Sequence, residues 1–147
     1  MTILGIDPGG SGGLALVCNA AGESFARVYA MPPTTRDIWL LVRELGRDAD
    51  KAIIEKVGVM PGQGIASGFK FGCGYGGLLM ALTAADVPYS TVAPAKWQRA
   101  VGVVPRGTKT KTQHKNALKA RAQELAPTVK FTLKTADAYL LACYGLL

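Results

Sequence analysis

Three carboxylates in this chain stand where side chains can do chemistry. Asp7 closes the apolar run Ile3-Leu4-Gly5-Ile6 and leads into Pro8-Gly9-Gly10-Ser11-Gly12-Gly13. Glu55 closes a second apolar run, Ala52-Ile53-Ile54, and Asp137 lies among Ala136, Ala138, Leu140 and Leu141. A charge at the end of a buried strand is costly unless it is paired or holds a metal. Glycines beside it let a ligand's backbone or phosphate approach closely. Each acid also has a plainer reading: Asp7 as a satisfied turn aspartate, Asp137 as an exposed helix acid.

The elements that must position these acids follow from periodicity. Strands are predicted over residues 2–6, 13–18 and 24–30, the first two joined as a hairpin through the glycines. Thr34 or Thr35 caps a helix over 36–46, whose Ile38, Leu41, Val42 and Leu45 form one apolar face. Residues 51–55 read as a fourth strand. Residues 57–77 are glycine-rich and combine a mobile loop (58–67) with the start of a helix continuing through 78–85. A fifth strand over 88–92, a short proline-started helix over 94–101 and a basic loop over 102–110 come next. Helices over 113–125 and 135–146 close the chain. This order suggests an α/β layered domain with a mixed sheet. If the first and fourth strands are neighbours, Asp7 and Glu55 lie side by side at one edge of the fold. No internal repeat or linker is visible, so residues 1–147 read as a single domain.

Charge points to a polyanion. The chain has 147 residues, a formal net charge of +7 and 49% hydrophobic residues, as a compact fold requires. Between Val87 and Ala136 there are ten Lys or Arg residues and one acid, Glu124. A one-sided basic field suits nucleic acid. Cys18, Cys73 and Cys143 are far apart and without CxxC spacing, which argues for reduced core cysteines and against a disulfide frame or zinc site. A lone histidine, His114, disfavours a His-based metal cage. The first apolar stretch is broken by Asp7, so no secretory leader is expected. No apolar run approaches the ~20 residues that span a bilayer. An intracellular setting follows as an expectation: bacterial or phage-infected cytoplasm, or an organelle.

Four motifs in order now resemble a known family. Ile3 to Gly13, Ala52-Ile53-Ile54-Glu55, Val92-Ala93-Pro94-Ala95-Lys96-Trp97 and Thr135-Ala136-Asp137-Ala138-Tyr139-Leu140-Leu141-Ala142 are similar to those of RuvC-type Holliday-junction resolvases. The likeness is to the short phage, viral and plastid branches and covers nearly the whole chain. It implies an RNase H-like fold with a mixed five-stranded sheet flanked by helices, a homodimer, and four-way DNA junctions as substrate. It further implies paired, metal-dependent phosphodiester hydrolysis with Mg²⁺, Mn²⁺ standing in, and no small-molecule cofactor or membrane partner. Such hydrolysis needs a nucleophilic water and stabilisation of the leaving oxygen, which two Mg²⁺ ions about 4 Å apart supply. By this resemblance Asp7 bridges the metals, and Glu55 and Asp137 are further ligands.

One position departs from the pattern. The family usually carries an Asp or His ligand three residues before the last carboxylate, and here that residue is Lys134. A protonated lysine cannot ligate Mg²⁺. Three accounts stand open: Lys134 contacts the scissile phosphate, the missing ligand comes from elsewhere, or the lysine is an inactivating substitution that traps DNA.

Phosphate contacts are expected from Lys56, Lys70, Lys96, Arg99, Arg106, Lys109, Lys111, Lys115, Lys119 and Arg121, with a steep salt dependence. For Lys119 and Arg121 a solvated helix face is an equal alternative. Thr108, Thr110 and Thr112 can add hydroxyl contacts. Met60 or Phe69 can wedge between bases at the junction centre; Phe69 and Phe71 read equally well as core or interface residues. Trp97 reads as structural. The glycine-rich helix near residues 69–85 is the expected dimer interface, since small residues permit close approach.

Three rivals share parts of this reading. A sugar- or acetate-kinase-like hairpin fits Gly5-Ile6-Asp7-Pro8-Gly9-Gly10-Ser11, but those enzymes need two such domains and 147 residues cannot supply both. A catalytically dead junction-binding protein is favoured by Lys134. A related nuclease acting on flaps or forks is the third.

Overall fold

The computed structural model describes residues 1–20, 22–58 and 61–147, with the backbone alone of Glu23. Among the described residues five strands form one sheet: β1 (Thr2–Asp7), β2 (Gly13–Ala20), β3 (Glu23–Ala30), β4 (Lys51–Glu55) and β5 (Tyr89–Val92). Their order is β3-β2-β1-β4-β5. The first three pair antiparallel, as a hairpin chain must, while β1-β4 and β4-β5 are parallel. The helices are α1 (Thr35–Gly46), α2 (Ile65–Ala84), α3 (Pro94–Ala100), α4 (Lys111–Leu125) and α5 (Ala136–Leu146).

The central strands are apolar on both sides because both sides are covered. Leu4, Ile6, Ala52 and Ile54 pack on one face against Val42 and Leu45 of α1 and Leu78 and Leu82 of α2. Ile3 and Ile53 face the other way, toward Leu140, Leu141 and Ala142 of α5, with Trp97 and Leu118 beside them. Strand side chains alternate with a period of two. Asp7 therefore shares the face of Ile3 and Gly5, and Glu55 that of Ile53: both acids end on the α5 side.

Local signals account for the helix starts. Thr34 accepts the Asp37 backbone N–H at 3.1 Å, and Thr110 and Gln113 form a reciprocal capping box. That box starts α4 at Lys111, two residues before the predicted start. The larger difference is α2, which begins at Ile65 inside the stretch predicted as loop. Glycine costs a helix up to ~1 kcal/mol each, so the glycine-rich stretch as far as residue 67 reads as loop by propensity. Burial of Leu78, Ala81 and Leu82 against the sheet anchors the helix regardless. Among the described residues no helix is long and apolar enough to cross a membrane.

Candidate functional site

Asp7 and Glu55 come together through strand register. β1 and β4 run parallel with Ile6 opposite Ile54, so the next residue on each strand is the acid. Asp137 arrives on the first turn of α5, which lies directly on β1. An added Cβ at Gly5 would sit 2.0 Å from the Ala138 carbonyl oxygen and 2.5 Å from the Ala142 nitrogen. Only a glycine lets helix and strand approach this closely.

The turn after Asp7 is built for its own backbone more than for a ligand. A Cβ on Gly12 would meet the Asp7 carbonyl oxygen at 2.1 Å, and one on Gly13 the Tyr29 carbonyl at 2.4 Å. Gly10 alone in this turn faces open space. The expectation of a ligand cradle thus narrows to one residue.

Lys115 of α4 reaches into the acids. Its Nζ lies 2.5 Å from Asp137 Oδ2 and 3.5 Å from Asp7 Oδ2. Both aspartates are buried, 8% and 4% exposed. Burial opposes the Lys115 charge, but the two aspartates outweigh it and raise the ammonium's pKa. For Asp7 burial dominates, with Asp137 and Glu55 adding to it against the pull of Lys115, and its pKa rises to about 7. The folded chain thus keeps a proton that an unfolded Asp7 releases near 3.8. Stability contributed by this proton falls as pH rises from about 4 to about 7, by on the order of 4 kcal/mol, and is flat above. Thermal midpoints measured in chelator should decline across that window and do so less in Asp7→Asn. A profile unchanged by the substitution would contradict this assignment.

Glu55 is oriented by Trp97, which is fully buried and donates from Nε1 to Glu55 Oε2 at 2.8 Å. Burial raises the Glu55 pKa, and the indole bond works in the opposite direction. The sequence suggested only a packing role for Trp97; its link to the acid 42 residues away has no local signature. Trp97→Phe should cost about 1–3 kcal/mol for the lost bond to a charged group, plus a cavity term. Denaturant unfolding measures it, and a change under 0.5 kcal/mol would show the bond to be idle.

An open cleft of about 780 Å³ lies beside Asp7 and Glu55, lined also by Lys56, Phe71, Pro94 and Lys111. Lys56 and Lys111 thus share a wall with two carboxylates. Lys70 and Lys134 line a second cleft of about 540 Å³, with Gly9, Gly10 and Phe71. Lys134 is exposed in the turn before α5. Lys96, Arg99, Arg106 and Lys109 are exposed on α3 and the following loop, where Arg106 Nε donates to the Lys109 carbonyl. Arg121 is engaged within the fold, donating to the Val101 carbonyl at 2.8 Å and pairing with Glu124. Thr110 is likewise occupied as a helix cap. Phe69 is 75% exposed, which excludes it from the core, whereas Phe71 is partly buried against Gly9. Met60 lies outside the described residues.

Sequence reasoning grouped Lys115 with the phosphate binders, but its amine points at the acids. The available signal was its place beside the buried stripe His114, Leu118 and Ala122 of α4. His114 itself is buried, and burial lowers its pKa.

No protein-family model matches the chain, and no curated protein matches it. Solved structures do. The chain superposes on Thermus thermophilus RuvC with a TM-score of 0.68 at 22% identity, covering 98% of this chain and 92% of that one. T. thermophilus RuvC in complex with Holliday junction substrate gives 0.69 at 18% identity with the same coverage. The fold is that of RuvC. The match covers nearly the whole chain, and the mixed five-stranded RNase H-like sheet expected from the motifs is the one observed among the described residues. On this RuvC-like sheet Asp7 and Glu55 are the last residues of two parallel strands, at the carboxyl ends where open α/β sheets bind ligands.

Whether these residues suit the divalent metal that the resemblance implies can be tested on the side chains. Three carboxylates offer the hard oxygens that Mg²⁺ prefers. Asp137 Oδ1 is buried and, among the described residues, has no hydrogen-bond partner. An orphaned carboxylate oxygen in such a place fits a cation. As the side chains stand, however, no three His, Cys, Asp or Glu groups among the described residues are gathered closely enough to hold one. Lys115 supplies the positive charge between two of them instead.

Proposed function

We propose that the chain is a structure-selective endonuclease that resolves four-way (Holliday) DNA junctions by paired, metal-dependent phosphodiester hydrolysis. What supports this is that Asp7 and Glu55 end neighbouring parallel strands beneath the helix that carries Asp137, on a fold matched over 98% of the chain. Asp7, Glu55 and Asp137 are the residues that would hold Mg²⁺ or Mn²⁺. The ions would supply an activated water and stabilise the leaving oxygen.

The chain's own groups do the rest. Lys56 and Lys111, in the wall of the acid-lined cleft, hold the DNA backbone over the carboxylates. The start of α4 carries Lys111 and no acid, so the positive end of the helix also favours phosphate. Trp97 keeps Glu55 turned toward the cleft. Lys70, Lys96, Arg106 and Lys109 extend the phosphate contacts outward, and exposed Phe69 is the candidate wedge, with Met60 as its alternative.

A four-way junction needs two symmetric cuts, hence two active sites. The exposed side of α2 supports a homodimer: Ile65, Phe69 and Met80 are 93%, 75% and 62% exposed, and Gly72, Gly74, Gly76 and Gly77 face open space. A monomer mass by light scattering, unchanged on adding junction DNA, would remove this part of the reading. The compartment that fits is an intracellular one where DNA recombines.

Lys134 favours a second reading, an impaired protein that binds junctions without cutting them. The deciding experiment is nicking of a labelled four-way junction with Mg²⁺ and with Mn²⁺, by the chain and by Lys134→Asp. Paired symmetric cuts by the chain itself support an active resolvase. Binding without cuts, rescued by Lys134→Asp, supports the impaired form. Absence of both binding and rescue eliminates the resolvase reading, and preference for forks over junctions would redirect it to another branched substrate.

A further inference from the structure

Lys115 raises a question that its placement answers. Its ammonium sits 2.5 Å from Asp137 Oδ2 and 3.5 Å from Asp7 Oδ2, so these two oxygens face a common point. A cation bridging the two aspartates would have to stand at that point. A single such position cannot hold an ammonium and a divalent ion together, because both are positive and both need the same oxygens in a poorly solvated place. Resting on the nuclease reading above, we infer that Lys115 is an exchangeable internal counter-ion: a divalent cation enters the acid cluster by displacing its ammonium into the DNA cleft.

Three observations support exchange over a permanent ion pair. The pairing leaves Asp137 Oδ1 buried without a partner among the described residues, so the lysine satisfies only part of this carboxylate. Lys115 keeps 26% of its side chain exposed, against 12% for Asp7 and 6% for Asp137, so it is the least enclosed of the three paired side chains. Lys111 lies one helical turn earlier on α4 and lines the cleft. Residues four apart on a helix are surface neighbours, so a displaced Lys115 arrives beside an existing phosphate-binding lysine. Metal entry would then add one cation to the DNA-binding wall, and the neutralised acids would stop repelling the backbone.

The exchange has two DNA-free readouts. Mn²⁺ affinity, followed by the spectroscopic signal of free Mn²⁺, should rise about tenfold in Lys115→Met if the ammonium holds the site about nine-tenths of the time. Lys119→Met, one turn further along α4, controls for simple loss of charge and should change affinity by less than about twofold to threefold, as expected for a screened charge. In the unaltered chain, acylation of Lys115 by an amine-reactive ester, read by mass spectrometry, should speed up several-fold in millimolar Mg²⁺ while Lys130 stays constant. This second measurement stands even if Lys115→Met fails to fold. Equal affinity gains in the two lysine variants, weaker Mn²⁺ binding in Lys115→Met, no Mn²⁺ uptake by either protein, or an unchanged acylation rate would each overturn the inference. Exchange in a chain that cuts no junction would leave this inference standing and remove the nuclease reading. Junction cutting without exchange would do the opposite.

Discussion

Asp7→Asn is expected to abolish junction cleavage, by on the order of a thousandfold or more, the scale reached when a group at the reacting centre is deleted. Junction binding is expected to persist. Asn keeps the shape of Asp but removes the charge from the residue on which the other members of the cluster converge. Lys115 pairs with it, and both Asp137 and Glu55 repel it. The fold should tolerate the change, because a buried carboxylate whose pKa is pushed up to about 7 already costs stability when ionised. DNA affinity should hold or rise slightly, since one negative charge leaves a cleft that binds phosphates. The measurements are a labelled-junction nicking assay and a gel-shift titration at one fixed salt concentration. Loss of binding together with loss of fold would show that Asp7 is structural, and the metal role would go with it.

Gly5→Ala is expected to act through geometry instead. The added methyl would lie 2.0 Å from the Ala138 carbonyl oxygen and 2.5 Å from the Ala142 nitrogen, both backbone atoms of α5. Backbone cannot rotate away as a side chain tip can, so α5 must lift from β1. Overpacking of this kind costs about 1–3 kcal/mol and sometimes more, and here the upper end applies. For a domain of this size about 3 kcal/mol corresponds to roughly 10 °C in the thermal midpoint. The same displacement carries Asp137 away from Asp7, so cleavage should fall further than the unfolded fraction explains. A Gly5→Ala chain with unchanged midpoint and activity would mean that the helix–strand contact is looser than its atoms suggest. Both substitutions touch the same acid pair, the first by charge and the second by distance.

Much of the site's composition was legible before any coordinates. An apolar run ending in an acid can be read from order alone, because strand burial and the cost of a buried charge are local facts. Asp7 and Glu55 emerged in this way, and Asp137 by its apolar surroundings and the motif around it. The cap at Thr34 is similarly local, satisfied within three residues. The equally local box at Thr110 does not read as a cap, because its hydroxyl in a basic loop is assigned to phosphate instead. Reading α2 as a loop over its first residues had a physical cause too. Its glycines disfavour a helix in isolation, and the leucines that hold it down make their contacts with a sheet distant in sequence.

What order and spacing determined, then, is the set of strands, the acids that end two of them, the cap of α1 and the one-sided basic field. These depend on neighbours along the chain. Three features were decided only by the tertiary structure: the bond from Trp97 to Glu55, the seating of Lys115 between Asp7 and Asp137, and the contact of α5 with β1 at Gly5. Each joins residues between 22 and 133 positions apart, the first of these separations being that of Lys115 and Asp137, the second that of Gly5 and Ala138. The difference lies in what each side chain senses. A strand's pattern reports only that a face is buried, whereas the position of an ammonium among carboxylates depends on which elements meet across the sheet and how closely.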